Sequence, residues 1–372
     1  MSLAATLWQL RPAFLGPNPV TPSLPGDARR HVSPARNRTI DGLRAFAIIA
    51  VIGVHILGRF FPGGGLGVDL FFVISGYVIT AGLKREYERS GTLSLKDFYW
   101  RRIRRLWPAL WAMIGLVALV GPMLGQPAGR EALLALASMM NWARAFGFVA
   151  PVNVLGHTWS LAVEEQFYLL WAPLLLVLLR HKRLAIPVLV GSIVAASMWR
   201  LHILSFHTAF ADAYAYNALE CRIGSMLLGC LIAFRPDFGP LRLRRLWVVP
   251  AAGLSALVLF GRMPFVPSLF YDVVALLSAW LIYAAIDPAP ALRGIMGSAP
   301  IQWAGLRSYS LYLWQSPMLY FITPIHLPFS VRFVLILACT SAAAELSYRW
   351  LERGFRSPDP RPASGFASTT LS

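Results

Sequence analysis

The chain has 372 residues, of which 57% are hydrophobic and 14% charged, and its mean hydropathy is +0.57. Soluble domains usually carry about 25% charged residues, so this composition excludes an ordinary soluble protein and indicates a polytopic membrane protein. The net charge of +17 would suit nucleic-acid binding, but basic loops that orient membrane spans explain it better. We therefore predict a lipid bilayer as surroundings and no nucleic-acid partner.

The two ends of the chain differ from its middle. Residues 1–38 are rich in proline and arginine and lack a long apolar run, and residues 354–372 are similarly polar. We expect both to be flexible cytoplasmic tails, without a cleaved signal peptide. The residues between them, 39–353, form one predicted transmembrane domain.

Ten apolar stretches approach the length of about 20 residues that a membrane helix needs. They are 43–61, 67–83, 106–124, 158–179, 184–200, 218–234, 246–261, 269–286, 308–325 and 330–348. An eleventh stretch, 132–149, is predicted to dip into the outer face without fully crossing. The predicted fold is thus an all-α polytopic membrane protein with about ten transmembrane helices plus one re-entrant or interfacial helix.

The distribution of basic residues supports this topology. With both termini cytoplasmic, 26 of the 34 Lys and Arg residues lie on the cytoplasmic side and six on the outer side. This asymmetry follows the rule that cytoplasmic loops carry the excess of positive charge. A full crossing by 132–149 would instead send the basic cluster at 180–183 outside.

The first predicted span carries two ionisable side chains on one helix face. Arg44 and His55 are eleven residues apart, which is close to three full helical turns and about 16 Å along the axis. Arg44 lies near the inner boundary, where it can also reach the lipid headgroups. His55 lies within the span, where an ionisable residue marks a functional site by default, although a hydrogen-bonded packing histidine is the alternative.

The second predicted span begins at Asp69, directly after the glycine-rich stretch "PGGGLG". The glycines suit a tight turn between two spans. Asp69 either caps the helix or orients a neighbouring side chain, and the pattern leaves both interpretations open.

The loop before the third span ends in "FYWRRIRRLWP". Its arginines can anchor the topology of the chain. The spacing of three residues also places Arg102 and Arg105 on the same side of a helix. Two neighbouring guanidinium groups bind phosphate well. The second interpretation of these arginines is therefore a binding site for a polyanionic cytoplasmic ligand.

The fourth span, "HTWSLAVEEQFYLLW" over 157–171, carries two adjacent carboxylates. A carboxylate near the bilayer centre costs about 2.5–3.5 kcal/mol on insertion scales, so these residues need an explanation. Counted from the outer end of each span, Glu164 and His55 lie at matching depth. A contact between them would form a general base with its orienting group, and a structural ion pair is the alternative. Glu165 points elsewhere and is expected to pair with an arginine.

Four motifs in order resemble the acyltransferase-3 family of integral membrane acyltransferases. They are "IDGLRAFAIIAVIGVH", "GVDLFFVISGYVIT", "FYWRRIRRLWP" and "HTWSLAVEEQFYLLW". Members of this family move an acyl group, commonly acetyl from cytoplasmic acetyl-CoA, to hydroxyls of sugars. The resemblance implies an O-acyltransferase of the bacterial inner membrane that acts on a polysaccharide, glycolipid or macrolide sugar. It is weaker at "YSLYLWQSP", where relatives often have a histidine and this chain has Gln315.

The resemblance also implies roles for particular residues. The predicted catalytic residues are His55, Glu164 and Asp69, and the predicted acyl-CoA-binding residues are Arg44, Arg102 and Arg105. Tyr168 and Trp159 of the fourth span are predicted to bind the acceptor. We expect no metal and no cofactor, with acyl-CoA as co-substrate.

Two other classes of protein remain as alternatives. A transporter or flippase of a polar or glycosylated solute could use the same polar residues as a path through the membrane. A non-catalytic scaffold would tolerate apolar replacements of His55 or Glu164. The acceptor, the acyl chain length, the oligomeric state and the choice between direct transfer and a covalent relay stay open.

Overall fold

The computed structural model is helical throughout the part of the chain that it describes. The described residues are 37–125, 128–150, 152–236, 239–261 and 268–353. Within these ranges no strand is present, which confirms the all-α prediction. The predicted tails lie outside the described residues, except for residues 37 and 38.

Sixteen α-helices occupy these described ranges. The first eight are α1 Arg38–Leu57, α2 Gly67–Ser90, α3 Leu95–Val120, α4 Gly129–Leu136, α5 Met140–Ala145, α6 Trp159–Arg180, α7 Lys182–Leu204 and α8 Ala209–Asn217. The others are α9 Leu219–Phe234, α10 Leu241–Arg245, α11 Val248–Phe260, α12 Ser268–Ile286, α13 Pro290–Gly297, α14 Ala299–Leu306, α15 Ser308–Ile322 and α16 Phe329–Ser347. Short 3₁₀ turns link several of them, including Gly58–Phe60 after α1 and Gly156–Thr158 before α6.

Among the described residues, eight helical segments are long and apolar enough to cross a membrane. They are Arg38–Phe60, Gly64–Ser90, Leu95–Val120, Gly156–Arg180, Lys182–Leu204, Ala209–Phe234, Leu269–Ile286 and Phe329–Glu352. The predicted count of ten is not confirmed. The predicted spans at 246–261 and 308–325 contain helices of 13 and 15 residues, α11 and α15, and each is shorter than the usual crossing length of about 20 residues.

The stretch 132–149 does not form one continuous helix. It is divided between α4 and α5, of 8 and 6 residues, which correspond to about 12 and 9 Å of helix. Ser138 lies between them with φ 54°, in the left-handed region that a helix cannot continue through. Neither piece is long enough to cross a bilayer alone.

Helix α1, which carries Arg44 and His55, is fixed at its start by a side-chain cap. The Asn37 side-chain oxygen accepts hydrogen bonds from the backbone amides of Thr39 at 2.9 Å and Ile40 at 3.3 Å. The Asn37 amide nitrogen donates to the carbonyl of Ala285 in α12 at 2.8 Å. One residue therefore satisfies two free amides of the helix end and ties α1 to a second span.

Helices α2 and α9 pack with their backbones in contact. A Cβ atom added at Gly76 would lie 1.9 Å from the carbonyl oxygen of Met226, and one added at Gly229 would lie 2.0 Å from that of Val73. Glycine is the residue that permits such an approach, as at many helix crossings in membranes. This close crossing places Asp69 of α2 beside Arg222 of α9.

Candidate active site

A cavity of about 110 Å³ opens between the membrane helices α1, α2, α3, α6 and α15. Its polar lining residues are Arg44, Ser75, Arg102, Arg105, Ser160, Glu164, Tyr168, Ser308, Tyr309 and Tyr312. Five of the eight residues predicted for the site therefore line one cavity. The volume suffices for several water molecules or for a short acyl group.

Arginine side chains form one end of this cavity, which we name the arginine end after Arg102 and Arg105. Both residues line the cavity, so the prediction from their spacing that they face the same side is confirmed. The Arg102 guanidinium lies over the Tyr168 ring, 3.6 Å from its centroid, in a cation–π contact. Arg44 lies 3.4 Å from Asp41 on its own helix and also reaches the cavity.

Glu164 lies in the cavity wall with hydroxyl partners. Ser75 Oγ donates a hydrogen bond to Glu164 at 2.7 Å, and the Tyr168 hydroxyl donates a second at 3.0 Å. These bonds hold both carboxylate oxygens in place. They offset part of the cost of placing a carboxylate in a membrane helix. Because Ser75 belongs to α2, the contact also joins two membrane helices.

The predicted contact between His55 and Glu164 is not formed. The helical segment that contains α1 ends at Phe60, one residue before the predicted end of the span, so the missing contact comes from how the helices are placed and not from a shorter span. Eleven residues separate Arg44 from His55, just as they separate His157 from Tyr168. Arg44 interacts electrostatically with Glu164, whereas His55 interacts with His157.

His55 lies beyond the other end of the cavity from the arginines. Its side chain is exposed in the last turn of α1. It is close enough to His157 and Arg144 to interact with both electrostatically. The structure therefore groups His55 with a histidine and an arginine that the sequence analysis did not assign to the site.

Two hydroxyl groups separate the cavity from His157. Ser160 Oγ and the Tyr312 hydroxyl lie 2.6 Å apart, and the Tyr312 hydroxyl donates to the backbone carbonyl of His157 at 2.7 Å. Since the tyrosine proton is engaged by that carbonyl, Ser160 is the donor within the pair. Both side chains line the cavity, so this pair marks its boundary on the His55 side.

Asp69 lies outside the cavity, in a buried ion pair with Arg222. Arg222 Nη2 donates to both Asp69 oxygens at 2.8 Å, and Ser225 donates to one of them at 3.2 Å. The exposed fractions are 0% for Asp69 and 1% for Arg222. No side chain caps α2, so the capping interpretation is wrong, and Asp69 instead orients an arginine of another helix.

Trp159 packs beside this ion pair and not in the cavity. Its ring lies 4.8 Å from that of Tyr216 and 5.8 Å from the Arg222 guanidinium. Tyr271 approaches the same guanidinium at 4.4 Å. Trp159 thus helps to enclose Arg222, whereas Tyr168, the other residue predicted to bind the acceptor, lies at the arginine end.

Glu165 is expected to pair with an arginine, but its hydrogen-bond donors in the structure are a tryptophan and a serine. It accepts hydrogen bonds from Trp107 Nε1 at 2.9 Å and from the hydroxyl of Ser138. The neighbouring Gln166 donates to the Ser138 carbonyl at 2.8 Å and exchanges hydrogen bonds with Asn141. These two residues of α6 hold the turn between α4 and α5. The sequence pattern did not predict this structural role.

We expect Glu165→Ala to lower stability by about 1–3 kcal/mol, because it leaves the partly buried Trp107 and Ser138 donors without an acceptor. Thermal unfolding in detergent or nanodiscs measures this loss. Glu88→Ala is the matched control, since Glu88 is exposed and makes only a long ion pair with Lys84, at 4.0 Å. Equal unfolding temperatures for the two variants would contradict the role given to Glu165.

Metal ligation finds no support in the described residues, where no group of three or more His, Cys, Asp or Glu side chains comes together. The polar groups of the cavity are arginines, hydroxyls and one carboxylate. Such a set can bind an anion and hold a carbonyl or hydroxyl group in position.

Comparison with known proteins agrees with the motifs. A family model described as an acyltransferase domain, that of the acyltransferase-3 family, matches residues 37–346. The chain is 32% identical over 353 residues to peptidoglycan O-acetyltransferase OatA of Listeria monocytogenes. This alignment covers 86% of this chain and 55% of that protein. It is 31% identical over 367 residues to O-acetyltransferase OatA of Staphylococcus aureus, covering 89% of this chain and 60% of that protein.

The chain thus spans between half and two thirds of the length of these relatives. No solved structure matches it. Since the family model covers most of the described residues, the chain belongs to the acyltransferase-3 family.

Proposed function

We propose that the protein is a membrane O-acyltransferase that moves an acyl group, acetyl in the simplest case, from cytoplasmic acyl-CoA to a hydroxyl of a carbohydrate or glycosylated acceptor. The observation that carries this proposal is the cavity that joins three arginines to Glu164 and Tyr168 between membrane helices. The names of the relatives support a glycan of the cell wall as acceptor.

The arginine end suits the donor. Arg44, Arg102 and Arg105 line the cavity there, and guanidinium groups form bidentate hydrogen bonds with phosphate. A volume of about 110 Å³ holds an acyl group but not a nucleotide. In the proposal the phosphates of CoA therefore stay at the cytoplasmic mouth, and the pantetheine arm carries the thioester inward.

The opposite end suits the acceptor. His55 accepts the proton of the acceptor hydroxyl as its oxygen attacks the thioester carbon. The carbon–sulfur bond then breaks, the ester remains on the acceptor, and CoA leaves as the thiol after taking up the proton. Ser160 and Tyr312 line the cavity, and Tyr312 contacts His157; this pair marks the boundary at which donor and acceptor meet in this scheme. Glu164 acts on the donor side, where it positions Ser75 and Tyr168.

The activity is tested with purified full-length protein in proteoliposomes, labelled acetyl-CoA and soluble cell-wall glycan fragments. We expect acetyl esters on the glycan, detected by mass spectrometry, together with free CoA. Movement of a fluorescent glycolipid between leaflets without ester formation would favour a flippase. The absence of both ester formation and movement would favour a scaffold.

We expect Arg102→Ala combined with Arg105→Ala to raise the KM for acetyl-CoA by about tenfold or more, because charge-assisted hydrogen bonds to phosphate are lost. Steady-state kinetics at varied acetyl-CoA measures this change. Arg101→Ala is the matched control, since Arg101 is in the same cluster but is exposed and pairs with Glu86 at 2.8 Å. An unchanged KM in the double variant would assign both arginines to membrane anchoring.

A further inference from the structure

A second polar cluster lies beyond the cavity, and the proposed function uses only part of it. It consists of Arg144, His157 and His55, and we name it the Arg144 cluster. Arg144 interacts electrostatically with both histidines and with Tyr216, Tyr312 and Tyr320. Two imidazole groups and one guanidinium group thus lie near one another.

His157 is the first sign that this cluster is built for a ligand. Its exposed fraction is 7%, and neither ring nitrogen has a hydrogen-bond partner in the described structure. The ring nitrogens lie near the carbonyls of Val154 and Leu313, but neither contact meets the distance and angle of a hydrogen bond. Buried polar side chains are normally satisfied, and each exception requires an explanation, of which an absent ligand is one.

Arg144 is held in a defined orientation beside this histidine. Its Nε donates to the side-chain oxygen of Asn217 at 2.9 Å. A Cβ atom at Gly156 would lie 2.9 Å from Arg144 Nη1, so the guanidinium lies against the backbone next to His157. Burial lowers the pKa of Arg144, but arginine starts so far above neutral pH that it stays charged.

We propose that the Arg144 cluster binds an anionic group, a carboxylate or a phosphate, on the acceptor. A fixed guanidinium beside unpaired imidazole nitrogens presents several donors to such a group. Because His55 belongs to the cluster, binding the anion there also brings a neighbouring hydroxyl to the proposed base. This inference rests on the proposed function and adds to it a preference for acidic carbohydrates.

The test measures binding of matched probes to the full-length protein in nanodiscs of neutral lipid. The first probe is a methyl glycoside of N-acetylglucosamine with a carboxymethyl ether, the second its neutral methyl ester, and the third the same glycoside with a phosphate in place of the ether. We expect the unmodified protein to bind an anionic probe about tenfold or more tightly than the ester. The anionic probe that binds more tightly shows whether the site prefers a carboxylate or a phosphate.

Variants then locate that preference. Arg144→Gln should abolish the preference for the anionic probe, while Arg144→Lys should retain part of it and His157→Gln should weaken it. Arg130→Gln, which removes an exposed arginine from the adjacent α4, should leave it unchanged. Each variant is also checked for acetyl-CoA binding, so that a folding failure is recognised, and Arg144→Lys then provides the informative comparison.

The inference is overturned if the unmodified protein binds acid, phosphate and ester equally, or if Arg144→Gln keeps the preference. Acetyl transfer is measured with the same probes. Transfer without any preference for the anionic probes would refute this inference alone. A preference in binding without any transfer would refute the proposed function alone.

Discussion

His55→Ala should lower the rate of acyl transfer by about 10²–10⁴-fold, the usual contribution of a general base. The protein should still insert and fold, because His55 lies in the last turn of α1 with accessible surface, so its removal leaves no enclosed cavity. Initial rates in proteoliposomes measure the effect, and circular dichroism and thermal unfolding check the fold.

His202→Ala is the matched control for this variant. His202 lies in the last turn of α7, is exposed, and contacts Trp199 and Phe206, so it resembles His55 in position along a span but lies outside the site. Its replacement should leave the rate unchanged. Retention of ordinary activity in His55→Ala would refute the assignment of the base.

The separation of His55 from Glu164 adds a sharper comparison. If the two residues acted as one unit, the double variant with Glu164→Gln would be no slower than the worse single variant. Because the structure places Glu164 with Ser75 and Tyr168, we expect the two effects to multiply instead. A double variant that matches His55→Ala alone would show that they act together during turnover.

Asp69→Ala should destabilise the protein by about 3–5 kcal/mol, because it leaves the Arg222 charge buried without its partner. The aromatic rings around Arg222 compensate only part of this loss. Chemical unfolding in detergent, followed by tryptophan fluorescence or circular dichroism, measures the change. An exposed acid such as Asp97, at the start of α3, provides the control substitution.

Replacing both partners separates a structural role from a catalytic one. Asp69→Leu combined with Arg222→Met should recover much of the lost stability, because an apolar pair removes the cost of burying charge. Full activity in that double variant would make the ion pair structural. A stable but inactive double variant would restore Asp69 to the catalytic residues, as the family motif implies.

Several features of the site follow from the sequence alone. Apolar runs of sufficient length predict membrane helices because the bilayer requires every backbone group to be bonded within its own segment. Spacing within a helix predicts which side chains share a face, and this is why Arg102 and Arg105 meet at one cavity. The order of the four motifs was enough to identify the family.

The structure decided what no single helix can determine: where each helix ends and which helix faces which. The arrangement of the helices separates His55 from Glu164 and places it near His157. The pairing of Asp69 with Arg222 joins residues 153 positions apart, and it depends on the glycines that let α2 and α9 touch. Periodicity records only depth and face within one helix, whereas contacts between helices arise from packing many side chains at once.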